Sequence, residues 1–383
     1  MKEKYYEVAK TITKWKLDNP FENWLGYRAD KSEFWKRLYV LYYRIFDNKY
    51  YCGGIKLLEK EIARQNLTIS KENFLSISFL KRDMIYCLHR FGVSFLDYFV
   101  YKFYEKNYIG RSKFNNLKLQ YGYCDLVNTP IIRDIFEDKG ALYKRLKAYY
   151  KRDLVVVYGE HEISDLHKFL DKHNSFIFKP LKGYSGIGIK IIKEYKGTTE
   201  EFYNDNISFG AFVVEELIHQ AHEMALIHKD SVNTVRLSSF KIDNDVVIIG
   251  GALRMGTGGA NVDNAGSGGI YATIDVEHGF VCSLARDKVN GYTYSVHPDT
   301  KCKLVGFELP KWDQAINLIK ELAHVIEGAT VISWDLAYTD KGWVIVEGND
   351  VGDPNLLQAP LQVGVKYKYI ELLDKYFACS RRN

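Results

Sequence analysis

Val331-Ile-Ser-Trp-Asp-Leu-Ala-Tyr-Thr-Asp-Lys-Gly-Trp-Val-Ile-Val-Glu-Gly-Asn349 is the stretch on which the reading of this chain turns. Two apolar, β-rich runs flank Thr339-Asp-Lys-Gly342, a strong hairpin signal. With Gly342 in the left-handed position of a three-residue loop, Asp335 and Glu347 fall opposite each other on one face. Like charges so placed destabilise a strand pair. A hard cation removes that penalty: Mg²⁺ takes oxygen ligands of this kind and shares them with substrate phosphates. Asn349 adds an amide two residues on. The other reading is an exposed hairpin with solvated acids, and the hairpin alone does not separate the two.

Working outward, the 383-residue chain is long enough for two or three domains and a large core. It is 46% hydrophobic and 26% charged, which is ordinary globular composition. A net charge of +5 suits anionic small molecules or a weak membrane-surface association, and does not demand nucleic acid. The six cysteines are scattered, with no CxxC pair, and read as free thiols in a reducing cytoplasm. Met1-Lys-Glu-Lys-Tyr-Tyr lacks an apolar signal core, so the expectation is a cytoplasmic protein. Phe91 to Tyr104 is the most apolar helical stretch. Asp97 and Lys102 interrupt it, and it is too short to span a bilayer.

Residues 1–125 read as a helical region. Apolar residues recur at helical spacing through Phe34, Leu38, Leu41, Tyr42 and Ile45, and again through Phe91, Phe95, Tyr98, Phe99 and Phe103. Lys31, Lys36, Arg37 and Arg44 form a basic face that could contact phosphates or membrane lipid, though such charges are more often simply the solvated side of a helix. From Val127-Asn-Thr-Pro130 onward, short β-rich runs alternate with helices. Ile132 to Tyr150 reads as one basic helix, and Ser164 as the cap of a helix over 165–173.

Phe176-Ile-Phe-Lys-Pro180 is a strand, followed by Leu181-Lys-Gly-Tyr-Ser-Gly-Ile-Gly188 and a second short strand. The glycines let backbone N–H groups turn toward an anion. Lys179 at the end of a buried strand is expensive without an anionic partner, and a phosphate is the natural one. This is not a Walker loop, because the Gly-Lys-Ser/Thr ending is missing. Ala211-Phe-Val-Val-Glu-Glu-Leu-Ile218 runs into a polar linker. Such a linker can present its backbone to an adenine edge while a later acid, Glu223, takes the ribose. The bland reading is a strand with an acidic end. Arg236 and Arg254 are good carboxylate or phosphate clamps. Residues 256–269 form the most glycine-dense loop, of a length that is usually functional or disordered.

With these residues in view, the chain resembles the ATP-grasp superfamily, and within it the sugar-transfer-associated branch. The resemblance runs from about Asn128 to about Gln358. It implies an α+β fold in which two subdomains clasp ATP, here behind a helical N-terminal region. The expected boundaries are residues 1–125, 126–208 and 209–383. It implies that Lys139 and Lys179 reach the nucleotide phosphates, and that Lys182, Gly183, Tyr184, Ser185 and Gly186 belong to the loop closing over them. Glu215, Glu216 and Leu217 match the adenine-reading linker and Glu223 the ribose acid, one residue later than in peptide-ligase relatives. Asp335, Glu347 and Asn349 match the Mg²⁺ triad. Gln220-x-His222, Asn233-Thr-Val-Arg236, and Arg254-x-Gly256 followed by Val262-Asp-Asn264 and Gly268-Gly269 match the branch. Ser333 stands where peptide ligases often carry an arginine, which leaves oxyanion stabilisation to Arg236 or Arg254.

The activity so implied is an ATP-dependent carboxylate–amine ligase working through an acyl phosphate. Arg254, Arg236 and Asn233 would hold the substrate, and His222 is a candidate base. The partners would be a small carboxylate and an amine, nucleotide- or lipid-linked sugars among them, in cell-surface polysaccharide synthesis. A phosphotransferase acting on a hydroxyl and a non-catalytic nucleotide-binding module remain as alternatives.

Overall fold

The computed structural model describes residues 20–46, 55–64, 76–181, 188–258, 268–287 and 291–380. The chain divides into two compact units. The first comprises residues 1–123, 288–292 and 353–374, and the second 124–287, 293–352 and 375–383.

The first unit is helical. Pro20–Ala29, Glu33–Phe46 and Ile77–Phe91 lead into shorter helices at Phe95–Val100 and Tyr108–Ser112. The aromatic periodicity across Phe91 to Phe103 predicts one continuous helix, but the chain breaks there. Gly92 takes φ 67° and closes the preceding helix, while the Ser94 hydroxyl accepts from the Asp97 N–H and starts the next. A buried polar cluster lies beneath these helices. Arg111 donates to both Asp83 oxygens at 2.9 and 2.6 Å, and the Tyr98 hydroxyl donates to Oδ2 at 2.7 Å. Lys36 turns inward to the same carboxylate at 3.2 Å, and so leaves the basic face expected of it. Burial pushes the Asp83 carboxyl up, but Arg111 and Lys36 outweigh it and hold the group below the ordinary carboxylate range.

The second unit is α+β. Its first sheet has four antiparallel strands in the order β1-β4-β2-β3: β1 Leu154–Val157, β2 Phe176–Pro180, β3 Lys190–Ile192 and β4 Phe212–Glu216. Leu166, Phe169, Phe176, Phe202 and Phe212 form its core with two covering helices. The helix expected from residue 165 begins earlier, at Ile163, and Ser164 lies inside it without capping it. The larger sheet has eight antiparallel strands: β5 Thr234–Ile242, β6 Asp245–Met255, β7 Ile270–Asp275, β8 Phe280–Val281, β9 Ala285–Asp287, β10 Thr293–Tyr294, β11 Val331–Thr339 and β12 Gly342–Asn349. Its order is β10-β9-β7-β6-β5-β11-β12, with β8 beside β7.

β11 shows why the large sheet holds. Ile332, Trp334, Leu336 and Tyr338 point into the apolar core with Ile319 and Leu322 of the helix Trp312–Val325. Each such side chain contributes about 1.5–3 kcal/mol on burial. The alternate positions, Ser333 and Asp335, face the other way. The basic helix expected over 132–150 is two helices, Ile131–Glu137 and Lys139–Tyr150. Asp138 is extended between them and its Oδ1 accepts from the N–H groups of Gly140 and Ala141, so it caps the second helix. Leu142, Leu146 and Tyr150 then anchor that helix in the core of the large sheet.

Candidate functional site

The hairpin β11–β12 places the carboxylates by a route the sequence pattern does not show. Thr339 pairs with Gly342, whose φ is 84°, so only two residues link the strands. Leu336 pairs with Ile345, but Asp335 pairs with Glu347, because Val346 is an extra residue in β12. Trp343 and Ile345 point into the apolar core. Strict alternation would send Glu347 after them. The bulge at Val346 reverses the parity, and Glu347 emerges on the face of Asp335. Asn349 pairs with Ser333 on that same face, and its amide lies 3.4 Å from Glu347 Oε1. The loop expected here was three residues long. It would reach the same acid pairing but put Trp343 and Ile345 on the wrong side.

The row of charges continues across the sheet. Asp335 pairs with Arg236 of β5, and Arg254 of β6 stands opposite Thr234. Arg236 grips Asp335 with Nε–Oδ1 and Nη2–Oδ2 distances of 2.5 Å each, and Arg254 Nη1 donates to Oδ2 at 2.7 Å. Burial raises the Asp335 pKa, but the two guanidiniums more than reverse this and hold the carboxyl low. Glu347 differs. Its side chain is half exposed and its nearest guanidinium, that of Arg236, is 3.7 Å away. Desolvation and the Asp335 charge push the Glu347 carboxyl up. Of the two facing acids, one is neutralised within the fold and one is not.

The four-stranded sheet contributes cations and a buried acid. Lys179 of β2 donates to Glu215 Oε2 at 2.6 Å, and Arg152 Nε donates to Oε1 at 2.5 Å. Burial pushes Glu215 up, but Arg152 and Lys179 hold it below the ordinary range. Arg152 also donates to the carbonyls of Ile345 at 2.5 Å and Val346 at 3.4 Å, the backbone of the bulge. It therefore ties the acid of β4 to the hairpin carrying Glu347. Lys139, the first residue of its helix, donates to the Leu181 carbonyl at 3.2 Å. Burial holds its pKa below the ordinary lysine value; Glu347 works against that shift and Lys179 adds to it.

Lys139, Lys179, Glu215, Arg236, Arg254, Asp335 and Glu347 are thus one electrostatic neighbourhood. The other expected site residues are placed as follows. Glu216 accepts from the Asp153 N–H at 2.9 Å, and Leu217 follows it at the end of β4. Asn233 is fully buried and its amide donates to Gln220, Met224 and His228, while its Oδ1 has no partner. His222 and Glu223 are exposed at the start of the short helix His222–Ala225. Lys182, Gly183, Tyr184, Ser185, Gly186 and Val262-Asp-Asn264 lie outside the described residues. Arg152 escaped the sequence reading. Its signal was a cation next to a buried strand, the same signal that singled out Lys179.

By its match to a family model, the α+β unit that carries these lysines, arginines and paired acids has the ATP-grasp fold. More narrowly, residues 118–370 match the family described as sugar-transfer associated ATP-grasp, and the chain belongs to that family. The comparison with curated proteins returned no match. Among solved structures, the chain is similar to the D-alanine–D-alanine ligase of Helicobacter pylori, at 15% identity and TM-score 0.39, covering 68% of each chain. It is similar to the N5-carboxyaminoimidazole synthetase of Staphylococcus aureus complexed with ADP, at 10% identity and TM-score 0.38, covering 63% of this chain and 54% of that one. It is also similar to the ATP-grasp ligase PsnB complexed with minimal precursor, at 10% identity and TM-score 0.38, covering 70% and 68%.

Proposed function

We propose that this chain is an ATP-dependent carboxylate–amine ligase. The observation that supports it most is the unequal acid pair: Asp335 satisfied by arginines, Glu347 left half exposed beside Lys139 and Lys179. That arrangement suits a triphosphate arriving with a divalent cation. Glu347 and Asn349 offer side-chain oxygens, and Asp335 offers oxygens shared with the Arg236 and Arg254 guanidiniums, so the residues fit Mg²⁺. When bound there, the ion would neutralise phosphate charge.

The chain's own groups then have defined tasks. Lys139 and Lys179 align the phosphates. Glu215 holds the Lys179 ammonium in place through its Oε2, 2.6 Å away. A substrate carboxylate oxygen attacks the γ-phosphorus, the bond to the bridging oxygen breaks, and ADP leaves. An amine nitrogen next attacks the acyl carbon, loses a proton, and expels phosphate. Arg254 or Arg236 stabilises the oxyanion, and the loop 256–269 keeps water from the intermediate. His222, exposed, is the candidate base. Glu216 and Leu217 at the end of β4 serve adenine and Glu223 the ribose, while Glu215, buried between Arg152 and Lys179 and paired on both sides, supports that end of the strand instead of touching the base. The substrate reading is an amino acid joined to a uronic acid sugar for a cell-surface polysaccharide, in the cytoplasm.

The test is ADP release by the purified protein with amino acids paired with uronic acid nucleotides. ADP formation that requires both a carboxylate and an amine supports the ligase. ADP formation without an amine, together with a stable phosphorylated product, would replace it by phosphoryl transfer to a hydroxyl.

A further inference from the structure

The helical unit carries an aromatic surface that the nucleotide site does not use. On the helices Pro20–Ala29 and Glu33–Phe46, rings touch in series. Phe46 meets Tyr42 at 4.9 Å, Tyr42 meets Phe21 at 5.8 Å, and Phe21 meets Trp24 at 5.8 Å. Trp24 meets Trp35 at 5.3 Å and Trp35 meets Phe34 at 5.6 Å. The second helix has two apolar faces. Tyr39 and Tyr43 are buried, whereas Phe34, Leu41 and Ile45 form an opposite stripe that is 63%, 46% and 61% exposed. An exposed apolar surface of this continuity marks an interaction site.

The charges beside it are one-sided. Arg28, Lys31, Arg37 and Arg44 are exposed. Arg28 sits 5.7 Å over the Trp24 ring. Arg37 and Arg44 make no ion pair among the described residues. The acids of the two helices are engaged: Glu22 is buried against Tyr43, and Glu33 pairs with Lys36 at 2.5 Å. A second copy on this face would set cation against cation. Successive rings meet at 35°, 56°, 31°, 80° and 79°, so no two of them are coplanar and they form no flat platform for stacking sugar rings. Aromatic and aliphatic side chains below a rim of arginine and lysine match a bilayer interface with anionic headgroups. No helix among the described residues is long and apolar enough to cross a membrane, so contact would be in the plane of the surface.

We propose that this face docks the protein on an anionic lipid surface. The proposal is independent of the nucleotide reading. The experiment is flotation of the full chain with phosphatidylcholine vesicles, with and without phosphatidylglycerol. The expected result is binding only to the anionic vesicles, weakened by salt. Leu41→Glu should weaken binding about tenfold or more. Arg37→Gln with Arg44→Gln should weaken it roughly 25-fold, about fivefold for each cation. Phe209→Glu, at an exposed phenylalanine of the other unit, should leave it unchanged. Equal binding to both vesicle types, binding that survives both sets of changes, or loss through Phe209→Glu would each overturn the proposal. So would failure to float together with a dimer that Leu41→Glu dissociates.

Discussion

Arg152→Met is the perturbation that most directly tests how the site is built. In the structure, its guanidinium holds Glu215 from one side and the Ile345 and Val346 carbonyls from the other. Its side chain is 4% exposed, as is that of Glu215. Breaking one partner out of a buried ion pair costs about 3–5 kcal/mol. For a unit of this size that is a fall in Tm of about 6–20 °C, at roughly 2–4 °C per kcal/mol. Stability alone would not distinguish a site role from a packing role. The bulge, however, sets the parity of Glu347, and its two carbonyls lose their donor in the variant. Calorimetry with ADP, with and without Mg²⁺, reads that consequence. The gain in affinity that Mg²⁺ brings should shrink in Arg152→Met, and Arg152→Lys should restore charge but not the gain, since one ammonium cannot span both partners. A Tm loss with the Mg²⁺ gain intact would refute the argument that Arg152 positions the hairpin. A wild-type protein that binds no nucleotide would instead refute the functional reading.

Lys179→Ala should weaken nucleotide affinity roughly 10- to 100-fold, the worth of a charge-assisted hydrogen bond of about 1.5–3 kcal/mol; unchanged affinity by calorimetry counts against the phosphate role. Glu347→Ala should abolish ATP turnover with the fold retained. The Glu347 carboxyl is held above its ordinary value, but its side chain is half exposed and solvent screens the effect, so thermal scans of Glu347→Gln should show at most a small Tm gain at pH 7 and none under acid. Asp83 carries the opposite sign. Its lowered pKa contributes stability that is complete above the unfolded value and disappears as pH falls through the folded one. Asp83→Asn should cost about 3–5 kcal/mol at pH 7 and flatten the acid limb of a circular dichroism titration. Gly348→Ala would bring a methyl carbon within 2.6 Å of Phe136 and 2.9 Å of Trp334, an overpacking of about 1–3 kcal/mol measurable by urea denaturation.

Much of this was legible before any coordinates. The hairpin, its glycine and the facing acids follow from two β-rich runs around a turn, and so does the alternation that buries Trp334. The bulge was not legible, because an extra residue in the loop and one at Val346 give the same acid pairing; only the need to bury Trp343 and Ile345 separates them. Arg152 joins residues 63 and 193 positions away, and local pattern carries no such information. The neutralisation of Asp335 by two arginines likewise arises from strand order, with β5 lying beside β11. The break at Gly92 and Ser94 was written in the sequence, but counting aromatic spacing alone passed over the punctuation.

Lys139 carries a last consequence. It begins a helix, where the peptide dipoles present a partial positive charge, and burial already disfavours its ammonium. Both forces oppose the residue, and the carboxylates of Glu347, Asp138 and Glu215 offset them only in part. An arriving anion would add to that offset, so the first turn, its Gly140 and Ala141 amides already held by Asp138, would tighten and become a local gauge of occupancy. Hydrogen–deuterium exchange there should slow on ligand addition, before any product is made.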